Sequence, residues 1–218
     1  QATASRGEVS ALLLQPIDAS VLYVLAHGAG AGMSHPFLDS VSRALAARGV
    51  ATLRYQFPYM EAGGRRPDPP AIAQKTVRSA VVRAAETGLP LIAGGKSFGG
   101  RMTAYAAAGG QLPGVVGLAY LGVPLHPPGR EGTDRWGPMT DIDLPMLFLQ
   151  GDRDRLANLD LLRPVVRDLR PPGVLHVVEG GDHSFKVLKR SGRADCEVLT
   201  EIVDTLARWA HEVVAGYQ

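Results

Sequence analysis

The stretch Gly94-Gly95-Lys96-Ser97-Phe98-Gly99-Gly100 is the part of this chain best suited to covalent chemistry. A serine with a glycine two positions away on each side can occupy a sharp turn between a strand and a helix, its hydroxyl lifted clear of the backbone. Gly95 and Gly99 are those neighbours, and they must be small because the turn forces the backbone close to adjacent chain. The apolar run at 89–93 supplies the strand, and the pattern at 98–108 supplies the helix. A helix opening at Phe98 leaves its first N–H groups unpaired, so the Phe98 N–H is a candidate for holding a developing oxyanion. A serine that merely caps the helix is the plainer alternative; the strand–turn–helix context favours the nucleophile.

A serine hydroxyl is a poor nucleophile at neutral pH, so it needs a base, and the base needs a carboxylate to fix its tautomer. His183 follows a glycine pair in the loop Glu179-Gly180-Gly181-Asp182-His183 that ends the apolar run 174–178. Of the other histidines, His176 lies inside a strand pattern and His211 in a helix pattern. Carboxylates stand at the end of another apolar run, where 145–149 leads through Gln150 and Gly151 to Asp152-Arg153-Asp154. Catalytic groups of open α/β sheets gather at such strand ends. On spacing alone both Asp152 and Asp154 remain candidates.

The elements that must position these groups alternate along the chain. Strand patterns are read at 9–14, 21–26, 50–55, 89–93, 115–121, 145–149 and 174–178, with helix patterns at 37–47, 71–86, 98–108, 156–169 and 194–214. That alternation predicts an α/β fold, a mostly parallel sheet with helices on both faces. In the last helix Val198, Ile202, Leu206, Trp209 and Val213 share one face, which is expected to pack on the sheet. Two long connections, 56–70 and 122–144, are rich in Gly, Pro and charge, as functional loops often are.

Bulk properties fit one domain over 1–218, with 45% apolar and 20% charged residues. A formal charge of +2, spread without a basic run, argues against a nucleic-acid surface. The apolar stretch 112–125 is interrupted by Gly and Pro and is too short to span a bilayer, so no membrane span is expected. The opening QATASRGEVS has no apolar signal core. One cysteine, Cys196, cannot form an internal disulfide; a cytoplasmic setting and a small core residue are the expectations.

The turn His27-Gly28-Ala29-Gly30-Ala31-Gly32 could also suggest a dinucleotide site. That fingerprint fails, because Met33 stands where its third glycine belongs and the next strand ends at Arg54-Tyr55 without an acid. Only an NADP-type reading with Arg54 on a 2′-phosphate survives as a minor alternative.

Five blocks in order, HGAGAGMSHPF, YQFPYMEAGGRRPDPP, GGKSFGGRM, LQGDRDRLA and GDHSFKVLKR, resemble the α/β-hydrolase superfamily over essentially the whole chain. Within it they are similar to a small dienelactone-hydrolase-like group that includes a testis-expressed protein and a subunit of a histone acetyltransferase complex. The resemblance implies a hydrolase fold with little or no cap domain and a triad in the chain order Ser97, Asp154, His183. Asp154 is favoured over Asp152 because the acid of this fold usually stands three residues after such a glycine. It also implies that Ala29, or failing that Gly30, gives a second oxyanion N–H beside Phe98. The chain departs from true dienelactone hydrolases, whose nucleophile is cysteine, by placing Ser97 there.

The implied activity is hydrolysis of a small-molecule acyl ester, of carboxylesterase or thioesterase type, through an acyl-enzyme and without metal or cofactor. The alternative is a catalytically silent scaffold for protein interaction. Because 122–144 precedes the acid, His126, Trp136 and Met139 are expected to form one wall of the acyl pocket, and Lys96 and Arg101 to make structural ion pairs.

Overall fold

The computed structural model describes residues 7–110 and 112–217; the first six positions of the amino-terminal stretch lie outside that range. Runs that are apolar from end to end need cover on both faces, and parallel strands joined through helices provide it. Five strands are covered in this way: β2 (Val21–Ala26), β3 (Val50–Tyr55), β4 (Leu91–Lys96), β5 (Val115–Leu121) and β6 (Met146–Gly151) are buried nearly throughout, with Thr52, Arg54 and Gln150 as buried polar exceptions to their apolar runs. The more exposed β1 (Ala11–Leu14) and β7 (Val174–Val178) take the edges. The seven strands run in the order β1-β3-β2-β4-β5-β6-β7, parallel except where β1 pairs with β3.

The covering layers divide cleanly. Helices α1 (Pro36–Ala46) and α6 (Asp195–Tyr217) lie on one face, where Leu38, Val41 and Leu45 meet Val198, Ile202 and Leu206. The other face carries α3 (Pro70–Ala85), α4 (Phe98–Ala108) and α5 (Leu159–Arg167). A four-residue α2 (Pro58–Glu61) lies within the connection 56–70. Proline opens α1, α2 and α3, where its missing N–H would have no partner anyway. Inter-strand connections carry short helices only, and among the described residues no cap domain stands over the sheet.

Register brings the chemistry-bearing turns to one edge. Ala26 of β2 sits beside Gly95 of β4, Lys96 beside Leu121 of β5, and Gly151 of β6 beside Val178 of β7. The carboxyl ends of β2, β4, β6 and β7 therefore deliver His27, Ser97, Asp154 and His183 to the same rim.

The connection 122–144 departs from expectation. Its 3-10 turn at Asp134–Asp141 packs against α4, and Trp136 and Met139 are buried in the α3–α5 layer. Trp136 meets Tyr120 and Phe148 at ring distances of 5.6 and 5.4 Å. Cys196 is exposed, contrary to a core role, because it lies in the first turn of α6 before the buried face begins at Val198. No helix among the described residues is long and apolar enough to cross a membrane.

Candidate active site

Ser97 links β4 to α4 with φ 50 and ψ −113. A non-glycine residue there carries strain of about 1–3 kcal/mol, which the surroundings must impose. They do so by crowding. A Cβ at Gly95 would run into the carbonyl oxygen of Ala26, and one at Gly99 would lie 2.5 Å from that of His27. Only glycines let the turn pass this close to β2, and the turn leaves the Ser97 Oγ at the sheet edge.

The Oγ lies 2.8 Å from His183 Nε2, and His183 Nδ1 lies 2.7 Å from Asp154 Oδ2. Asp154 is buried and fully engaged. Its Oδ1 accepts from the Leu156 N–H at 2.8 Å, and its Oδ2 also accepts from Gln150 Nε2 at 2.5 Å. Gln150 in turn accepts from the Val123 N–H, tying the acid to the end of β5. Asp152 is exposed and accepts from the Gly180 N–H at 2.8 Å, so it anchors the histidine loop and does not touch the ring. Asp182 shapes that loop further by accepting from the Ser184 and Lys186 N–H groups at 2.8 and 2.9 Å.

On the opposite side, the turn after β2 carries Ala29 at the rim of the site. The Gly30 N–H donates to the Tyr59 hydroxyl at 2.8 Å, which commits it within the protein. The Phe98 N–H belongs to the first residue of α4 and has no carbonyl one turn earlier to meet. His27 is fully buried: its Nδ1 donates to the Gly28 carbonyl at 2.8 Å, and its Nε2 accepts from the Phe57 N–H at 3.1 Å. Burial pushes its pKa below the usual histidine value, in keeping with a neutral brace for the loop. Arg54 is buried against Asp39 at 3.0 Å and the Met33 carbonyl at 3.2 Å, which removes the NADP alternative's phosphate ligand.

Neither Lys96 nor Arg101 forms an ion pair among the described residues. Lys96 Nζ donates to the His183 carbonyl at 2.6 Å and lies 5.5 Å from the Phe185 ring centre. A Cβ at Gly122 would come within 2.9 Å of that nitrogen, so glycine keeps its path open. Burial drives the Lys96 pKa down from 10.5 to about 8, against the pull of Asp154 and Asp182. The sign for stability follows from proton uptake. Between pH about 8 and 10.5 the unfolded chain binds more protons than the folded one, so this group makes stability rise with pH across that window. Urea unfolding at pH 7 and at about pH 9.5 is expected to show wild type gaining stability relative to Lys96→Met; parallel behaviour of the two proteins contradicts the assignment.

A cavity of about 780 Å³ opens beside Ser97 and His183. Phe37 and Leu38 of α1, Phe185 of the histidine loop, and Val198, Leu199 and Ile202 of α6 line it. His126, Trp136 and Met139 do not, which corrects the expected pocket wall. His126 is buried, with Nε2 accepting from the Asn158 N–H at 3.1 Å and Nδ1 donating to the Pro127 carbonyl at 2.9 Å. It pins the connection to the start of α5, while Trp136 and Met139 cover the sheet's far face. Sequence reasoning missed Tyr59 and Gln150 as supports, and expected of Lys96 a structural ion pair where the structure has a hydrogen bond to a backbone carbonyl.

A family model described as alpha/beta hydrolase domain matches residues 19–211, and the chain belongs to that family. Among solved structures it is similar to a dienelactone hydrolase from Anabaena variabilis, with a TM-score of 0.76 and 18% identity over 95% of this chain and 93% of that one. An alpha-beta serine hydrolase homologue from Coxiella burnetii matches at a TM-score of 0.71 and 22% identity, covering 91% of each chain. Est1E from Butyrivibrio proteoclasticus, solved with ferulic acid bound, matches at 0.73 and 17% identity over 95% of this chain and 96% of that one.

Proposed function

We propose that this chain is a serine hydrolase that cleaves an ester-like acyl bond, of carboxylesterase or thioesterase type. The observation that carries the reading is the unbroken hydrogen-bond relay from Ser97 Oγ through His183 to the buried Asp154. The strain held at Ser97 supports it, since such backbone persists only where the surroundings over-determine it.

In this reading Ser97 Oγ attacks the acyl carbon while His183 Nε2 takes the hydroxyl proton. Asp154 holds the Nδ1–H tautomer and stabilises the imidazolium. The carbonyl oxygen becomes an oxyanion received by the Phe98 and Ala29 N–H groups. The C–O or C–S bond to the leaving group breaks, and His183 hands that group its proton. Water then attacks the acyl-Ser97 ester, gives a proton to His183 and releases the carboxylic acid, after which the proton returns to Oγ. Each oxyanion donor is worth about 100- to 1,000-fold in rate in comparable sites.

The five sequence blocks favour placement in the dienelactone-hydrolase-like group, acting as one domain, and the single cysteine suits a cytoplasmic setting. The purified chain is expected to release p-nitrophenol from p-nitrophenyl butyrate and free thiol from butyryl-coenzyme A. Silence on both substrates overturns the enzymatic reading and favours the scaffold.

A further inference from the structure

The cavity beside Ser97 has a chemistry that narrows the substrate. Its interior is built from two helix starts on the same face: Phe37 and Leu38 open α1, and Val198, Leu199 and Ile202 recur at helical spacing on one side of α6. Phe185 stacks on Phe37 with ring centres 5.8 Å apart, so the histidine loop and α1 form a continuous aromatic wall. Leu38, Phe185, Val198 and Ile202 are buried, whereas Phe37 and Leu199 keep partial access.

The lysines at the cavity already have hydrogen-bond partners. Lys186 and Asp195 at the rim pair with each other, and the Lys96 ammonium is tied to the His183 carbonyl. Lys96 has no carboxylate partner and stands beside the histidine loop, whereas the side chains that α1 and α6 contribute above, Phe37, Leu38, Val198, Leu199 and Ile202, are all apolar. At about 780 Å³ the space lies within the range that holds small organic ligands, far more than an acetyl group needs.

We infer that the slot between α1 and α6 binds an uncharged apolar arm of the substrate, so that the natural substrate is an ester or thioester carrying a medium-length alkyl chain or an aromatic ring, with Leu199 setting the length accepted. This rests on the serine-hydrolase reading and deepens it. An arm attached to either side of the scissile bond reaches the same slot, since the lining includes both the oxyanion turn at Ala29 and the histidine loop. Each buried methylene is worth roughly four-fold in kcat/KM.

Two ester series test this, p-nitrophenyl esters from acetyl to octanoyl and acetates from ethyl to octyl. At least one series is expected to climb by roughly 100-fold or more in kcat/KM with chain length. Leu199→Trp, which fills the slot, is expected to cut the long-to-short ratio in that series at least about ten-fold, and Leu199→Ser to lower it less. A climb in the acyl series places the arm on the acid side and one in the acetate series on the alcohol side; both support the proposal. Flat profiles in both, or a ratio that neither variant changes, overturn it while Ser97-dependent hydrolysis of the short esters leaves the serine-hydrolase reading standing. Absence of all hydrolysis overturns both.

Discussion

Replacing Ser97 with alanine is expected to lower kcat for p-nitrophenyl butyrate by about 10⁴- to 10⁶-fold while the protein stays folded. The size comes from losing the covalent route itself: when one member of an interdependent nucleophile–base–acid set is removed, the others cannot act, and only the oxyanion donors and binding remain. Stability should hold because the hydroxyl's described partner is His183, half-buried at a solvent-accessible rim, and the strained backbone persists with either side chain. Steady-state kinetics with a thermal melt on the same preparation checks both halves. Undiminished turnover in the variant would mean the chemistry lies elsewhere.

Asp154→Asn is expected to reduce kcat by about 10⁴-fold, because an amide no longer holds the base in its productive tautomer. It should also destabilise the fold. Oδ1 faces the Leu156 N–H, and Oδ2 faces both Gln150 Nε2 and His183 Nδ1. An asparagine must turn its NH₂ toward one of these sets, and a buried donor facing a donor costs about 1–3 kcal/mol. Asp152→Asn is the matched control. That carboxylate is exposed and needs only to accept from the Gly180 N–H, which an amide oxygen also does, so activity should stay within a few-fold. Reversed outcomes for the two variants would move the acid to Asp152.

How far these features could be read from residues depends on how local their causes are. The turn around Ser97 was legible because its demands fall on neighbours in sequence: glycines two positions away, a strand before, a helix after. The strands were legible because burial on both faces writes itself as unbroken apolar runs. Element ends were less so. β4 extends to Lys96 through two glycines that look like loop residues, since Gly94 and Gly95 pair with neighbours on both sides. α5 starts only at Leu159 because the Asp154 carboxylate claims the Leu156 N–H and the Asn158 side chain caps the first turn of the helix.

Contacts between distant segments left no such trace. The Gly30–Tyr59 and Val123–Gln150 hydrogen bonds join residues whose types carry no signal of a partner. The pocket wall failed for a related reason. An apolar Trp136 or Met139 is equally suited to a cavity or to the core, and the packing of 134–141 against α4 that places them in the core is a contact between segments some thirty residues apart.

The proposed nucleophile can be tested by chemistry at a single atom. The wild-type protein is treated with a small fluorophosphonate, digested, and mapped by peptide mass spectrometry, with a heat-denatured sample alongside. The account predicts one phosphonyl group per native chain, carried by Ser97 and absent after denaturation. A native chain that hydrolyses esters yet carries the label on another residue, or none on Ser97, contradicts it.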